Sequence, residues 1–303
     1  MFARDSAPLL RKLAAARVWV GGVVGAMCCV LRLSAVDWVN GNGHRHAAVL
    51  PAVGDRVGFV TVDRATSGLA FTNRLSVEAA ARNPILENGS GVALGDVDGD
   101  GRCDVYLCGL EGANALFLNR GGWKFEEVPK AGGAACNDQA STGAVLADID
   151  GDGDLDLLVN GIGRGTRLFA NDGRGRFTEI PDAGVGSKSG AHSLALADVD
   201  GDGDLDLYVA NYRASTFKGQ GGATRVRLRR VDGRLVVPPE HAEQFAVGGT
   251  GDNQALMEVG EPDQLFLNEG NGRFRLESWT GGRFLDESGQ PLSVSRPSNS
   301  SWA

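Results

Sequence analysis

Three aspartate-rich stretches are the part of this sequence whose residue types and spacing point to chemistry. Each places carboxylates at positions 1, 3, 5 and 9 of a nine-residue loop, with glycine at position 6. Acids at this density repel one another unless a cation neutralises them, and Ca²⁺ takes roughly six to eight oxygen ligands. The sequence therefore predicts three calcium sites. Their candidate residues are Asp96, Asp98, Asp100, Arg102 and Asp104; Asp148, Asp150, Asp152, Asp154 and Asp156; and Asp198, Asp200, Asp202, Asp204 and Asp206.

An EF-hand is the main competing interpretation of these loops. That motif requires glutamate at position 12 and a helix on each side. Position 12 is instead Leu107, Val159 or Val209, and each lies in a run with the alternation of a β-strand. The EF-hand interpretation therefore fails. Solvated turns without metal remain the alternative, which three matched copies disfavour.

The segments around the loops also repeat, because the loops begin at residues 96, 148 and 198. The first unit has strand-like runs at Gly91–Gly95, Val105–Cys108, Leu116–Asn119 and Phe125–Val128. The second has them at Gly143–Ala147, Leu157–Asn160, Leu168–Asn171 and Phe177–Ile180. The third has them at Ser193–Ala197, Leu207–Ala210 and Gln264–Asn268, and resumes the repeat at Gly272–Phe274. Four short strands in about 50 residues are typical of a β-propeller blade.

An insertion at 215–262 interrupts the third unit. Within it, Val226–Arg229 and Arg234–Val237 flank an Asp-Gly pair, which predicts a β-hairpin. Arg225, Arg227 and Arg229 alternate with apolar residues. We expect these arginines to form a solvated face of the hairpin, and the alternative is a patch that binds an anion or a partner.

The rest of the chain divides by composition. Basic residues followed by the apolar run 18–31 predict that 1–35 is a signal peptide or an N-terminal anchor, since the run is shorter than a full membrane span. Residues 36–90 form a lead-in, with strands expected at Gly58–Val62 and Leu69–Thr72 and one helical turn at Val77–Arg82. Residues 91–287 hold the blades, and 288–303 form a polar tail.

Charge and cysteine content limit the partners. The formal charge is -8, but 14 of the 38 acidic residues lie in the three loops, and the 30 lysines and arginines outnumber the remaining 24 acids. No surface typical of nucleic-acid binding emerges. The five cysteines give no disulfide framework. Cys103 stands where the other loops have leucine, so we expect it to be a small buried apolar group.

No catalytic constellation is present in the sequence. The four histidines are scattered without metal-ligand spacing, and no Gly-x-Ser-x-Gly elbow or CxxC pair occurs. We therefore expect no enzymatic activity. Paired carboxylates can meet in space from distant parts of a chain, so a carbohydrate-active site stays open as an alternative.

The repeat units resemble FG-GAP/VCBS repeats, the calcium-bearing blades of the integrin α-subunit head. Three phrases resemble more narrowly the ASPIC/UnbV group of cartilage acidic proteins: Glu87–Ala93, Arg167–Gly173 and Gln264–Gly270. The resemblance covers roughly 59–287. It implies a secreted, calcium-stabilised β-propeller with an adhesion- or matrix-like role. Together with the spacing, it assigns side-chain oxygens of positions 1, 3, 5 and 9 and the backbone carbonyl of position 7 to the ion.

The predicted fold is all-β, an incomplete β-propeller of three to four four-stranded antiparallel blades with calcium loops. Propellers of this family have about seven blades and the group carries a further C-terminal domain, so we expect this chain to be an N-terminal fragment of a longer protein. The predicted function is an exported, secreted or cell-surface calcium-binding scaffold for an unknown protein or glycan ligand. The alternative is an extracellular carbohydrate-active enzyme or lectin built on the propeller face. In a third interpretation, residues 18–31 anchor a surface component to the membrane.

Overall fold

A computed structural model describes residues 39–40, 45–46, 60–215, 226–249, 253–286 and 288–292. The chain divides into two units, Met1–Val60 and Thr61–Ala303. In the first unit, strand β1 (Val39–Asn40) pairs antiparallel with strand β2 (Arg45–His46). The predicted leader lies outside the described residues.

Three four-stranded antiparallel sheets form the body of the second unit, one from each predicted repeat. The first contains β3 (Val92–Gly95), β4 (Asp104–Leu107), β5 (Ala115–Asn119) and β6 (Phe125–Val128). The second contains β7 (Ser141–Ala147), β8 (Asp156–Gly161), β9 (Gly165–Asn171) and β10 (Phe177–Glu179). The third begins with β11 (Ala191–Ala197) and β12 (Asp206–Asn211). The insertion then contributes β13 (Arg229–Val231), β14 (Arg234–Val236), β15 (Phe245–Gly248) and β16 (Ala255–Glu258), before β17 (Gln264–Asn268) and β18 (Phe274–Leu276) complete the third sheet.

Within each sheet, strands that are consecutive in the chain are paired with each other. The exception is in the third sheet, where β12 pairs with β17 and the insertion between them stays outside the sheet. The first strands of neighbouring sheets lie side by side, with β7 between β3 and β11. At this contact, a Cβ on Gly91 would lie closer than 3.0 Å to Gly143 Cα. Successive meander sheets with adjacent first strands are propeller blades, so the predicted all-β incomplete propeller is confirmed, with three blades in the described part of the chain.

The cores lie between the sheets, as the two-residue alternation of the strands dictates. In β8, Leu157 and Val159 face the first sheet, where they meet Tyr106 and Leu116, while Leu158 faces the third sheet. All of these side chains are fully buried. Burying each one contributes about 1.5–3 kcal/mol relative to exposure. A strand that is apolar on both faces therefore belongs to a middle blade.

A glycine in the segment before each blade lets the chain cross closely over that blade's fourth strand. These glycines have left-handed backbones, with φ between 76° and 118°. A Cβ at each would lie closer than 3.0 Å to the carbonyl oxygen of the phenylalanine that begins the fourth strand. The pairs are Gly68 with Phe125, Gly133 with Phe177, and Gly184 with Phe274. The segment around Gly68 thus packs on the fourth strand of the first blade in the same way as the segments around Gly133 and Gly184 pack on the second and third blades.

The lead-in is helical where predicted, but its predicted strands are wrong. Helices α1 (Arg64–Ser67) and α2 (Val77–Arg82) are capped by Asp63 and Ser76, and short 3₁₀ segments follow at Pro84–Asn88, Pro129–Gly133 and Pro239–His241. Residues 60–62 and Leu69–Thr72 are not strands, and 58–59 lie outside the described residues. No strand of the first blade pairs with the segment after Gly68. The residues that follow this segment, Asn73 and Arg74, instead accept hydrogen bonds from the backbone N–H groups of Leu110 and Glu111.

The predicted hairpin in the insertion exists, with a shorter first arm. β13 pairs with β14 across a two-residue turn, Asp232 and Gly233, whose φ values are 48° and 79°. Positive φ at both positions matches the right-handed strand twist and sets the register. The arm begins at Arg229, so Arg227 precedes the strand and does not belong to the expected alternating face; Arg225 lies outside the described residues.

We expect Gly184→Ala to lower the free energy of unfolding by about 2 kcal/mol or more, because the methyl group requires a strained left-handed backbone and clashes with the Phe274 carbonyl. Chemical denaturation measures the change. Gly186→Ala is the matched control, since no atom lies within 4 Å of its Cβ position. Equal stability of the two variants would contradict the role assigned to Gly184.

Candidate metal centres

The three aspartate loops connect the first and second strands of their blades. In each loop, carboxylate oxygens of positions 1, 3 and 9 lie within 4.8 Å of one another. The groups are Asp96, Asp98 and Asp104; Asp148, Asp150 and Asp156; and Asp198, Asp200 and Asp206. The fold therefore brings together three of the five predicted site residues of each loop.

This spacing of oxygens fits a divalent cation. Calcium binds oxygen at roughly 2.3–2.6 Å, so two ligands on opposite sides of one ion lie about 5 Å apart. In the first loop, Asp98 Oδ1 is buried and makes no hydrogen bond, while Oδ2 accepts one from Arg120 Nη1 at 3.2 Å. A buried oxygen without a partner is costly, and a cation among these carboxylates would satisfy it.

The first aspartate of each loop shapes the turn. Asp96 accepts hydrogen bonds from the backbone N–H groups of Asp100 at 3.1 Å and Gly101 at 2.7 Å. In the other two loops, the same side chain accepts from the glycines at positions 4 and 6. Glycines at these two positions have φ between 71° and 99° in all three loops. Only glycine adopts this backbone without strain, so the Asp-Gly-Asp-Gly pattern specifies the loop conformation.

The last aspartate of each loop holds the loop to its blade. Asp104, Asp156 and Asp206 are at most 2% exposed. One oxygen accepts from the backbone N–H of loop position 2 at 2.8–3.1 Å. The other accepts from the backbone N–H of the residue that ends the third strand, at 2.7–3.0 Å. Position 9 thus has a structural role that the sequence analysis missed.

Burial raises the pKa of the position-9 carboxyls Asp104 and Asp156, and the backbone hydrogen bonds partly oppose the rise. Burial, followed by repulsion from the carboxylate at position 5, also raises the pKa of Asp150 and of Asp200. Both burial and the neighbouring carboxylates therefore oppose ionisation of these four groups. A bound divalent cation supplies the opposite charge and favours the ionised carboxylates.

Positions 5 and 7 lie outside these carboxylate groups. In the second and third loops, the position-5 carboxylate accepts from the backbone N–H of position 7 at 2.9 Å. In the first loop, Asp100 pairs with the guanidinium of Arg102, whose Nε also donates to the Asn119 carbonyl at 2.7 Å. The roles of these two positions as ligands therefore stay predictions.

The expectation that Cys103 is buried is wrong, since its side chain is exposed. The corresponding leucines pack toward the preceding blade: Leu155 lies against Gly95, and Leu205 joins the core between the second and third blades. No described blade precedes the first loop. Cys103, Cys108 and Cys136 are all free, so the described cysteines form no disulfide.

A cavity of about 350 Å³ lies beside the second blade, away from the loops. Its two carboxylates are held by arginines: Asp138 pairs with Arg164 at 2.8 Å and with Arg167 at 2.9 Å, and Glu179 accepts from Arg167 at 2.7 Å. Burial raises the pKa of Asp138, but Arg167, a backbone hydrogen bond and Arg164 together outweigh it and leave the pKa lowered. An ionised carboxylate is a poor general acid, and none of the described lining residues is aromatic. The described lining of the cavity therefore offers no aromatic surface for a sugar, and both of its carboxylates are paired with arginines.

Comparisons with known proteins agree with the repeat structure. A family described as FG-GAP-like repeat matches residues 96–159 and 148–209, and both matches begin at the first aspartate of a loop. Cartilage acidic protein 1 of Xenopus tropicalis is 28% identical over 123 residues, which cover 40% of this chain and 19% of the relative. The chain thus matches less than a fifth of that protein's length. Residues 96–209 therefore match FG-GAP-like repeats, as the sequence analysis predicted. Among the described residues, no helix is long and apolar enough to span a membrane.

We expect Asp156→Asn to destabilise the chain by about 2 kcal/mol even in the presence of a chelator, because the amide cannot accept from both backbone N–H groups and leaves one buried donor unpaired. Thermal denaturation in chelator measures the loss. Asp154→Asn, at position 7 of the same loop, is the control and should melt as the parent does. A normal melting temperature for Asp156→Asn would show that position 9 acts only as a metal ligand.

Proposed function

We propose that this chain, with its FG-GAP-like repeats, is an exported calcium-binding scaffold that presents a surface to a protein or glycan partner. The observation that carries the proposal is the recurrence of one carboxylate arrangement in three loops, with oxygens within 4.8 Å of one another. The FG-GAP-like repeats and the similarity to a protein named for cartilage support an extracellular, non-catalytic role.

Calcium in these loops has a structural role. Positions 1 and 3 lie on the loop, whereas position 9 lies at the start of the second strand and is buried against the sheet. One ion bound by all three joins the loop to the sheet. Position 5 and the carbonyl of position 7 complete the proposed ligand set.

Calcium should raise the melting temperature of the chelated protein, because an ion that binds only the folded state adds about 2.7 kcal/mol per site at 100 times its dissociation constant. Calorimetric titration should show three ions bound. Asp148→Ala removes one ion and leaves two, whereas Asp182→Ala, at an exposed position outside the loops, leaves three. An absence of binding heat at millimolar calcium would refute the assignment of the loops.

The β13–β14 hairpin is the surface that we propose for the partner. Arg227, Arg229, Arg230 and Arg234 are exposed, and none of them forms an ion pair with another described residue. The pairing of β13 with β14 places Arg229 and Arg234 on one face of the hairpin. Val231 and Val236 lie on the same face and are 52% and 42% exposed. A cationic face with exposed apolar groups is suited to an anionic partner.

The insertion is fixed to the third blade at its base. Arg213 is buried and pairs with Glu258 at 3.3 Å, and its Nη1 donates to the Val259 carbonyl at 3.0 Å. Glu261 accepts from the backbone N–H groups of Gly190 at 2.6 Å and Ala214 at 3.1 Å. A rigid base lets the insertion present its exposed hairpin at lower entropic cost on binding.

We expect the calcium-loaded chain to bind a heparin column, used as a sulfated-glycan probe, and R229E/R234E to elute at clearly lower salt because two attractive charges become repulsive. R174E/R176E makes the same charge change at exposed positions of the second blade and should elute close to the parent. Equal shifts for the two variants would mean that net charge, and not the hairpin, governs retention. Binding to polyglutamate but not to heparin would indicate an acidic protein partner.

A further inference from the structure

The asparagine that ends the third strand reaches two metal loops at once. The side-chain Nδ2 of Asn171 donates to the Leu155 carbonyl of its own loop at 3.1 Å and to the Val97 carbonyl of the preceding blade's loop at 2.9 Å. Asn268 makes the same two bonds, at 3.3 Å to position 8 of its own loop and at 3.0 Å to position 2 of the preceding loop. Both asparagines are buried, at 7% and 3% exposure.

The carbonyl that receives the inter-blade bond lies between two metal ligands. Val97 separates Asp96 from Asp98, and its N–H donates to Asp104 at 2.9 Å. Its carbonyl accepts from Asn171 and also from the backbone N–H of Gly175 in the second blade, at 2.8 Å. The positions of the first two ligands therefore depend on both blades.

The backbone of the same asparagine is also hydrogen-bonded to its own loop. The backbone N–H of Asn171 donates to Asp156 at 3.0 Å, and Asp156 is the position-9 carboxylate of the second loop. A continuous path thus runs from the second loop through Asp156 and Asn171 to Val97 in the first loop. An ion that orders one loop therefore lowers the conformational entropy that the other loop loses when it binds its own ion.

The two ends of the series lack such a bond among the described residues. Asn119 donates from Nδ2 to the Cys103 carbonyl of its own loop, at 3.0 Å, and no described blade precedes it. In the third loop, no described residue donates to the Val199 carbonyl, and Val199 is 50% exposed, against 1% for Val97 and 3% for Ile149. Among the described residues, asparagine side chains thus form two links between loops, one between loops 1 and 2 and one between loops 2 and 3.

We propose that Asn171 and Asn268 couple metal binding between neighbouring loops, so that an ion in one loop tightens binding in the next. The inference rests on the proposed calcium function. Coupling of this kind is reciprocal: loop 1 strengthens loop 2 by the same factor by which loop 2 strengthens loop 1. Without the asparagine side chain, the coupling weakens.

A double-mutant cycle tests the link between loops 1 and 2. Asp198→Ala leaves loops 1 and 2, and a further Asp148→Ala leaves loop 1 alone. Calorimetric calcium titration should show loop 1 binding about fivefold or more tightly in the two-loop chain than in the one-loop chain. Adding Asn171→Ala to both chains should bring the two affinities clearly closer together, because it removes the side-chain bond to Val97 and leaves only the backbone bond from Gly175.

Asn119→Ala is the matched control, because it removes the equivalent side chain without removing an inter-blade bond; the coupling should persist. Melting in chelator reports whether each variant folds. If Asn171→Ala does not fold, Asn268→Ala in an Asp96→Ala chain tests the second link, where loops 2 and 3 should bind cooperatively only with Asn268 present. Equal affinities in both parent chains, or coupling that is undiminished when the asparagine side chain is removed, overturns the proposal. No calcium binding in any chain overturns the proposed function as well.

Discussion

The structure depends on one buried interaction that recurs in every blade: the position-9 carboxylate receives two backbone N–H groups, one from its loop and one from the end of the third strand. This contact fixes where the loop meets the sheet. In the first two blades, burial and neighbouring acids raise the pKa of this carboxyl and so oppose its ionisation. A divalent cation would resolve that conflict, so the carboxylate that anchors the loop is also a candidate ligand.

Blades are stabilised chiefly by their neighbours. The second blade packs on both faces, and its strand β8 contributes alternate residues to two cores. The first blade has a described neighbouring blade on one face only, and Val92 and Leu94 of its strand β3 are 53% and 62% exposed. The asparagine links between loops follow the same neighbour contacts, so the packing that stabilises each blade also positions the carboxylates of the loop before it.

The third unit contains an insertion that lies outside its four-stranded sheet. Its sheet closes without the insertion, because β12 pairs directly with β17. The insertion can therefore carry a cationic hairpin without disturbing the blade, and Arg213 and Glu261 hold its base in place. Variation in an inserted segment on a rigid scaffold is a common way for repeat proteins to acquire a binding surface.

Local patterns in the sequence determined the strands, the loops and the number of blades, since alternation, turn glycines and carboxylate spacing act over a few residues. The same patterns misplaced Leu69–Thr72, where strand-like composition has no partner strand, and Cys103, whose burial needs a preceding blade. The asparagine at the end of each third strand was visible in all three repeats, but its function was not. Its bonds to the preceding loop join residues 74 and 119 positions apart. Only the tertiary structure could decide them, because the packing of one blade against the next creates those contacts.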